Sequence, residues 1–145
     1  MKLTANRIAG ILRERGYKLT PQRHAVLEVI ASSHDHLTAE AIHEKALRKS
    51  PDIGLVTVYR TLELLSGLNL VCRLHAPDGG RSYMMRRPTG HHHHLVCSGC
   101  GRVVDFTGCY LAELEQRLSR ETMFDINSHL LEFYGLCPDC RPATA

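Results

Sequence analysis

Apolar residues recur every three to four positions through the first half of the chain, and the spacing predicts a run of amphipathic helices there. Thr4 to Arg15 carries Ile8, Ile11 and Leu12 on one stripe, with Gly16 as a stop. Thr20-Pro21 signals a second start, the threonine as cap and the proline at the first helical position, where its missing N–H costs nothing. Val26, Val29 and Ile30 give that helix its buried side. A third helix begins near Thr38, with Glu40 in its first turn and Ile42, Ala46 and Leu47 facing inward, and ends before Ser50-Pro51-Asp52. A fourth runs from about Thr57 to Ser66: Val58, Leu62 and Leu65 form its inner stripe, so Thr57, Arg60 and Thr61 fall on the opposite side with Tyr59 on the flank.

Beyond Gly67 the pattern turns to strands. Leu70 to His75 and Arg81 to Met85, joined through Asp78-Gly79-Gly80, read as a hairpin. Helices followed by such a hairpin outline a winged helix, the fold of many DNA-binding modules. The polar stretch Arg86-Arg87-Pro88-Thr89-Gly90 predicts a boundary, giving a DNA-binding domain over 1–87 and a second domain over 88–145. The second is expected as a strand from His92 to Cys97, a strand from Arg102 to Phe106, a helix from Tyr110 to Glu121 with Leu111, Leu114 and Leu118 inward, and a last strand from Phe124 to Tyr134. The fold class expected is therefore α+β: a winged helix followed by a small α/β domain.

Candidate chemistry is concentrated in that second half. Cys97-x-x-Cys100 and Cys137-x-x-Cys140 have the spacing of a structural zinc held by four thiolates, since a two-residue spacer lets both sulfurs of a pair reach one ion. A closed four-sulfur shell leaves no open position, so this zinc is expected to hold structure and do no chemistry. At 145 residues the chain forms one domain or two small ones, where a metal clip supplements a modest core. No signal peptide or membrane-spanning run is evident, so the expected setting is the reducing cytoplasm, where disulfides are rare.

Ten histidines are many for this length, and His91-His92-His93-His94 are consecutive. A zinc hydrolase would need a carboxylate or nucleophile at motif spacing beside them, and none stands there. No enzyme activity and no small-molecule substrate are therefore expected; a metal-buffering protein is the other outside reading. The net charge of +3 permits nucleic-acid binding without arguing for it. The exposed side of the fourth helix reads equally well as an ordinary solvated face or as a major-groove surface on which Tyr59 and Arg60 meet base edges, with Arg23, Arg73 and Arg81 available for phosphates.

Thr20-Pro21-Gln22-Arg23, His36-Leu37-Thr38-Ala39-Glu40, Thr57-Val58-Tyr59-Arg60-Thr61-Leu62, the segment from His91 through Cys97 to Gly101, and Tyr134-Gly135-Leu136-Cys137-Pro138-Asp139-Cys140 occur in one order over nearly the whole chain. That ordered set resembles the ferric uptake regulator superfamily. The resemblance implies a homodimeric, metal-dependent repressor that binds palindromic double-stranded operator DNA, with Arg23, Thr57, Tyr59 and Arg60 at the DNA, and that controls metal-uptake genes. It also implies a hinge sensor site on His36, His92 and His94 and a second site on His91, His93 and His129. The acid of the second site would fall on Ala112, which leaves Glu113, one position off, or Asp105 to serve.

Within the superfamily the zinc uptake regulator branch is favoured. Met84 stands where iron and peroxide sensors place a carboxylate, and Cys72 stands where zinc-responsive members carry a ligand. A thiolate favours zinc over iron(II) or manganese(II). Iron-, manganese- and peroxide-responsive regulators are the alternatives.

Overall fold

The computed structural model describes residues 3–75, 79–86 and 92–143. It divides into two compact units, Met1–Thr89 and Gly90–Ala145. His91 and most of the boundary stretch lie outside the described residues, as does Asp78 of the expected turn.

In the first unit, helix α1 (Ala5–Glu14) is capped by the Thr4 hydroxyl, which accepts from the Arg7 N–H. Gly16, with φ of +81°, lets the chain turn away at its far end. Helix α2 (Pro21–Ser32) is capped by Thr20 with the proline in its first turn. Thr38 caps α3 (Ala39–Leu47), and Gly54 precedes α4 (Leu55–Gly67). Ile8, Leu12, Val26, Ile30, Ile42, Val58, Leu62 and Leu65 are fully buried in one core, onto which Val71, Tyr83 and Met85 pack from the wing.

That wing is a three-stranded antiparallel sheet in which β1 (Leu37–Thr38) and β2 (Val71–His75) both pair with β3 (Arg81–Met85). Cys72 opposes Met84, and Arg73 opposes Tyr83. The expected hairpin strands are present, the first beginning at Val71 instead of Leu70, and the short β1 edge strand completes the three-stranded wing of a winged helix.

One face assignment on α4 needs correction. Thr61 is buried, not exposed, and its hydroxyl donates to the Thr57 carbonyl at 2.8 Å. A hydroxyl satisfied by the preceding turn can enter the core, so its polarity misplaces it in a pattern reading.

The second unit is a sheet in the order β5-β4-β6, with β4 (His93–Cys97) antiparallel to β5 (Val103–Phe106) and parallel to β6 (Glu132–Gly135), plus helix α5 (Ala112–Thr122). Two expectations change here. The last strand is four residues, not the stretch from Phe124 to Tyr134, because Asp125, Asn127 and Ser128 favour turns over pleated backbone. Leu114 and Leu118 of α5 are exposed in the single chain, and no residue of that helix is buried.

Candidate metal centres and nucleic-acid face

The four thiols named by spacing come together. Cys97, Cys100, Cys137 and Cys140 each offer a sulfur, all within 4.8 Å of one another, and the Cys100 and Cys137 sulfurs are 3.8 Å apart. β4 delivers Cys97 and the segment after β6 delivers Cys137. The two halves are tied by the Ser98 N–H donating to the Gly135 carbonyl at 2.7 Å and by Arg102 paired with Asp139 at 2.7 Å. Gly99 lies tight against the cluster: a Cβ there would stand 3.1 Å from both Cβ and Sγ of Cys140.

Donor chemistry and crowding both fit a tetrahedral zinc. The N–H groups of Cys137 and Cys100 point at the Cys97 sulfur and lower its pKa to about 6, so it is ready as a thiolate at neutral pH. Cys140, hemmed in by the other thiols, is pushed up to about 12. Four crowded thiols shed their last protons reluctantly unless a cation takes the charge.

On β4, alternation sends His92 and His94 to one face of the sheet and His93 to the other. The His92 and His94 rings meet edge to face with centroids 5.0 Å apart. His94 is buried and opposes Asp105 directly across the β4–β5 ladder, its Nε2 3.5 Å from the Asp105 Oδ1. Burial lowers the His94 pKa, and the Asp105 charge only partly offsets this. The pair is thus a neutral imidazole beside a carboxylate: two metal donors facing one another, with no salt bridge formed at neutral pH. Asp105 was an alternative acid for the second site; the strand register brings it to His94 instead. His36 and Cys72 belong to the first unit, Cys72 half-buried on β2 beside Met84.

On the other face, His93 stacks on His129 with centroids 5.2 Å apart. The acid beside His129 is Glu115, whose Oε1 lies 2.5 Å from His129 Nδ1. Glu113 is exposed and forms no part of this group; two positions along a helix turn a side chain by roughly 200°. His129 precedes β6 and does not lie on it.

The helix expected at DNA shows Tyr59 and Arg60 exposed and Thr57 half-buried. Val56, missed in the sequence pattern, is 63% exposed on the same helix and offers a methyl-bearing surface of the kind that meets thymine. The Tyr59 hydroxyl donates to Glu40 at 2.8 Å, fixing the ring. Arg23 hydrogen-bonds the Lys18 carbonyl, while Arg73 and Arg81 both reach Glu63, at 3.4 and 3.9 Å. Among the described residues no helix is long and apolar enough to cross a membrane.

Comparison with known proteins gives a consistent picture. The model of the ferric uptake regulator family matches residues 14–134. The ferric uptake regulation protein of Bacillus subtilis (strain 168) is 42% identical over 144 residues, 97% of each chain. The peroxide-responsive repressor PerR of Staphylococcus saprophyticus is 37% identical over 130 residues, 90% of this chain and 86% of its own. The crystal structure of the Vibrio cholerae ferric uptake regulator superposes with a TM-score of 0.74 at 30% identity, covering 90% of this chain and 99% of that one.

Proposed function

This chain belongs to the ferric uptake regulator family of metal-responsive transcriptional regulators, and from that premise we propose that it is a homodimeric repressor whose operator binding is switched on by iron(II) or a similar divalent ion. It is a regulator of transcription, not an enzyme. The observation that opens the site to iron(II) is the apposition of His94 and Asp105 at 3.5 Å. An imidazole and a carboxylate make a nitrogen and oxygen donor set, which suits iron(II) and manganese(II) as well as zinc. This moves the reading away from a purely zinc-directed sensor. Zinc remains the second reading, favoured by the half-buried Cys72 thiol.

A bound divalent ion supplies a positive centre that fixes its donors in one arrangement. The residues do the rest: burial keeps His94 neutral and able to donate its lone pair, Asp105 contributes negative charge, and His92 closes on the same side of β4. The resemblance supplies His36 as the further ligand. Coupling of such a site to DNA binding typically amounts to about 1–3 kcal/mol, or about 5–150-fold in affinity.

The dimer is supported by the second unit's sheet. Leu95 opposes Val104 on one side and Phe133 on the other, so all three share a face, and they are 44%, 50% and 49% exposed. Apolar residues lined up this way, with Leu114 and Leu118 of α5 also exposed, suit the self-complementary contact of a two-fold dimer. Two copies of α4 would then meet two half-sites of a palindromic operator. Repression from the cytoplasm, of genes for metal uptake, is the role that fits a regulator of this kind. The test is operator affinity titrated separately with buffered iron(II), manganese(II), nickel(II) and zinc(II), structural zinc retained. Tightening by iron(II) or manganese(II) at lower free concentration than they reach with Asp105→Asn supports the reading; response to zinc alone overturns it in favour of the second.

A further inference from the structure

Cys109 had no role in the sequence pattern, yet it lies beside two imidazoles of the second unit. His93, Cys109 and His129 each offer a donor atom, all within 4.8 Å of one another. The Cys109 sulfur is 3.4 Å from His129 Nε2. For a tetrahedral ion with bonds of about 2.3 Å to sulfur and about 2.0–2.1 Å to nitrogen, two such donors stand roughly 3.5 Å apart. The spacing therefore needs little adjustment to share one ion.

The other nitrogen of His129 strengthens the case. Glu115 stands 2.5 Å from Nδ1, and a carboxylate that accepts the Nδ1–H leaves the Nε2 lone pair aimed toward Cys109. A carboxylate behind the far nitrogen of an imidazole is the usual outer support of a metal-binding histidine. His93 is also in ring contact with Phe106, with centroids 5.4 Å apart. The ring stack and the thiol thus come from three separate segments: β4, the stretch before α5, and the stretch before β6.

We propose that Cys109 is a metal ligand, forming with His93 and His129 a mixed thiolate and imidazole site in which Glu115 is the positioning residue. The thiol makes this site selective for zinc or cobalt(II) over manganese(II), because sulfur favours softer ions. On binding, the Cys109 S–H bond breaks, its proton passes to solvent, and the sulfur lone pair bonds the cation. The site replaces the expected carboxylate ligand at position 112, which is alanine here, by a thiol from the preceding loop. It uses none of His92, His94 and Asp105, so it stands apart from the sensor reading.

The test is cobalt(II) titration of the full-length protein with its four-cysteine zinc retained, following the near-ultraviolet thiolate-to-cobalt charge-transfer absorption. The band is expected in the wild type and in Cys72→Ser and is expected to vanish in Cys109→Ser. Glu115→Gln is expected to keep the band but to weaken cobalt affinity about 10–100-fold. A wild type without the band, or a Cys109→Ser protein that keeps it, overturns the proposal; so does a band lost in Cys72→Ser alone. Should Cys109→Ser fail to fold, alkylation of the wild type mapped by mass spectrometry decides: zinc must slow labelling of Cys109, and unchanged labelling overturns the proposal. Iron(II)-dependent operator binding, measured on the same samples, reports on the sensor reading separately.

Discussion

Asp105 stands directly across the β4–β5 ladder from His94, its Oδ1 3.5 Å from Nε2. Antiparallel pairing puts both side chains on one face, and burial holds the imidazole neutral, so the two present donors to a cation instead of neutralising each other. Replacing Asp105 with Asn keeps the shape and removes the charge. The expected result is at least about a tenfold rise in the iron(II) concentration needed for operator binding, read by fluorescence anisotropy, with the melting temperature nearly unchanged. An unaltered metal response would remove Asp105 from the site.

Arg60 and Arg23 should behave differently. Arg60 is exposed on α4, whereas Arg23 is engaged with the Lys18 carbonyl at the start of α2. Arg60→Ala is expected to cost about 1–3 kcal/mol in operator binding and to relax preference at one base pair. Arg23→Ala should weaken all sequences alike and reduce the salt dependence. A selection experiment on randomised operators distinguishes the two patterns.

Gly99 tests the packing of the four-cysteine cluster. A methyl at this position would press on Cys140 at 3.1 Å, so Gly99→Ala should loosen zinc and speed its loss to a chelator. Zinc release followed with a colorimetric indicator checks this; an unchanged rate would mean the neighbouring chain gives way freely.

Leu62 lies fully buried on the inner face of α4. Leu62→Ala leaves a cavity in the core that orients the helix and should destabilise the first unit by about 2–5 kcal/mol. Chemical denaturation measures it.

Glu40 carries a pH signature. The backbone N–H at its own position, then the Tyr59 hydroxyl, hold its carboxyl below the ordinary range. A depressed folded pKa gives stability that is present above the unfolded value of about 4.3 and is lost as pH falls through the folded one. Glu40→Gln should therefore melt slightly below the wild type at neutral pH, and the gap should close in acid. A gap that widens on acidification would contradict this.

What was legible in the sequence was local chemistry. Thr20 and Pro21 mark the start of α2 because cap and ring act within one turn, and the paired cysteines announce their cluster through spacing alone. Strand register was not legible. Asp105 reaches His94 only because Leu95 pairs with Val104, and nothing in a linear pattern sets that pairing. The two-residue strand Leu37–Thr38 is too short to carry a period. Leu114 and Leu118 follow the helical rhythm of a buried stripe, yet both are exposed in the single chain; the pattern marks an apolar face without saying whether its own chain or a second copy covers it.

The account rests on His94 converting metal supply into DNA binding. Its most direct test is operator affinity of the wild type and of His94→Ala, each with structural zinc retained, measured anaerobically with and without buffered iron(II). The wild type should tighten at least about fivefold on adding the ion while His94→Ala stays at the metal-free level. Equal tightening in both proteins, or none in the wild type, would contradict it.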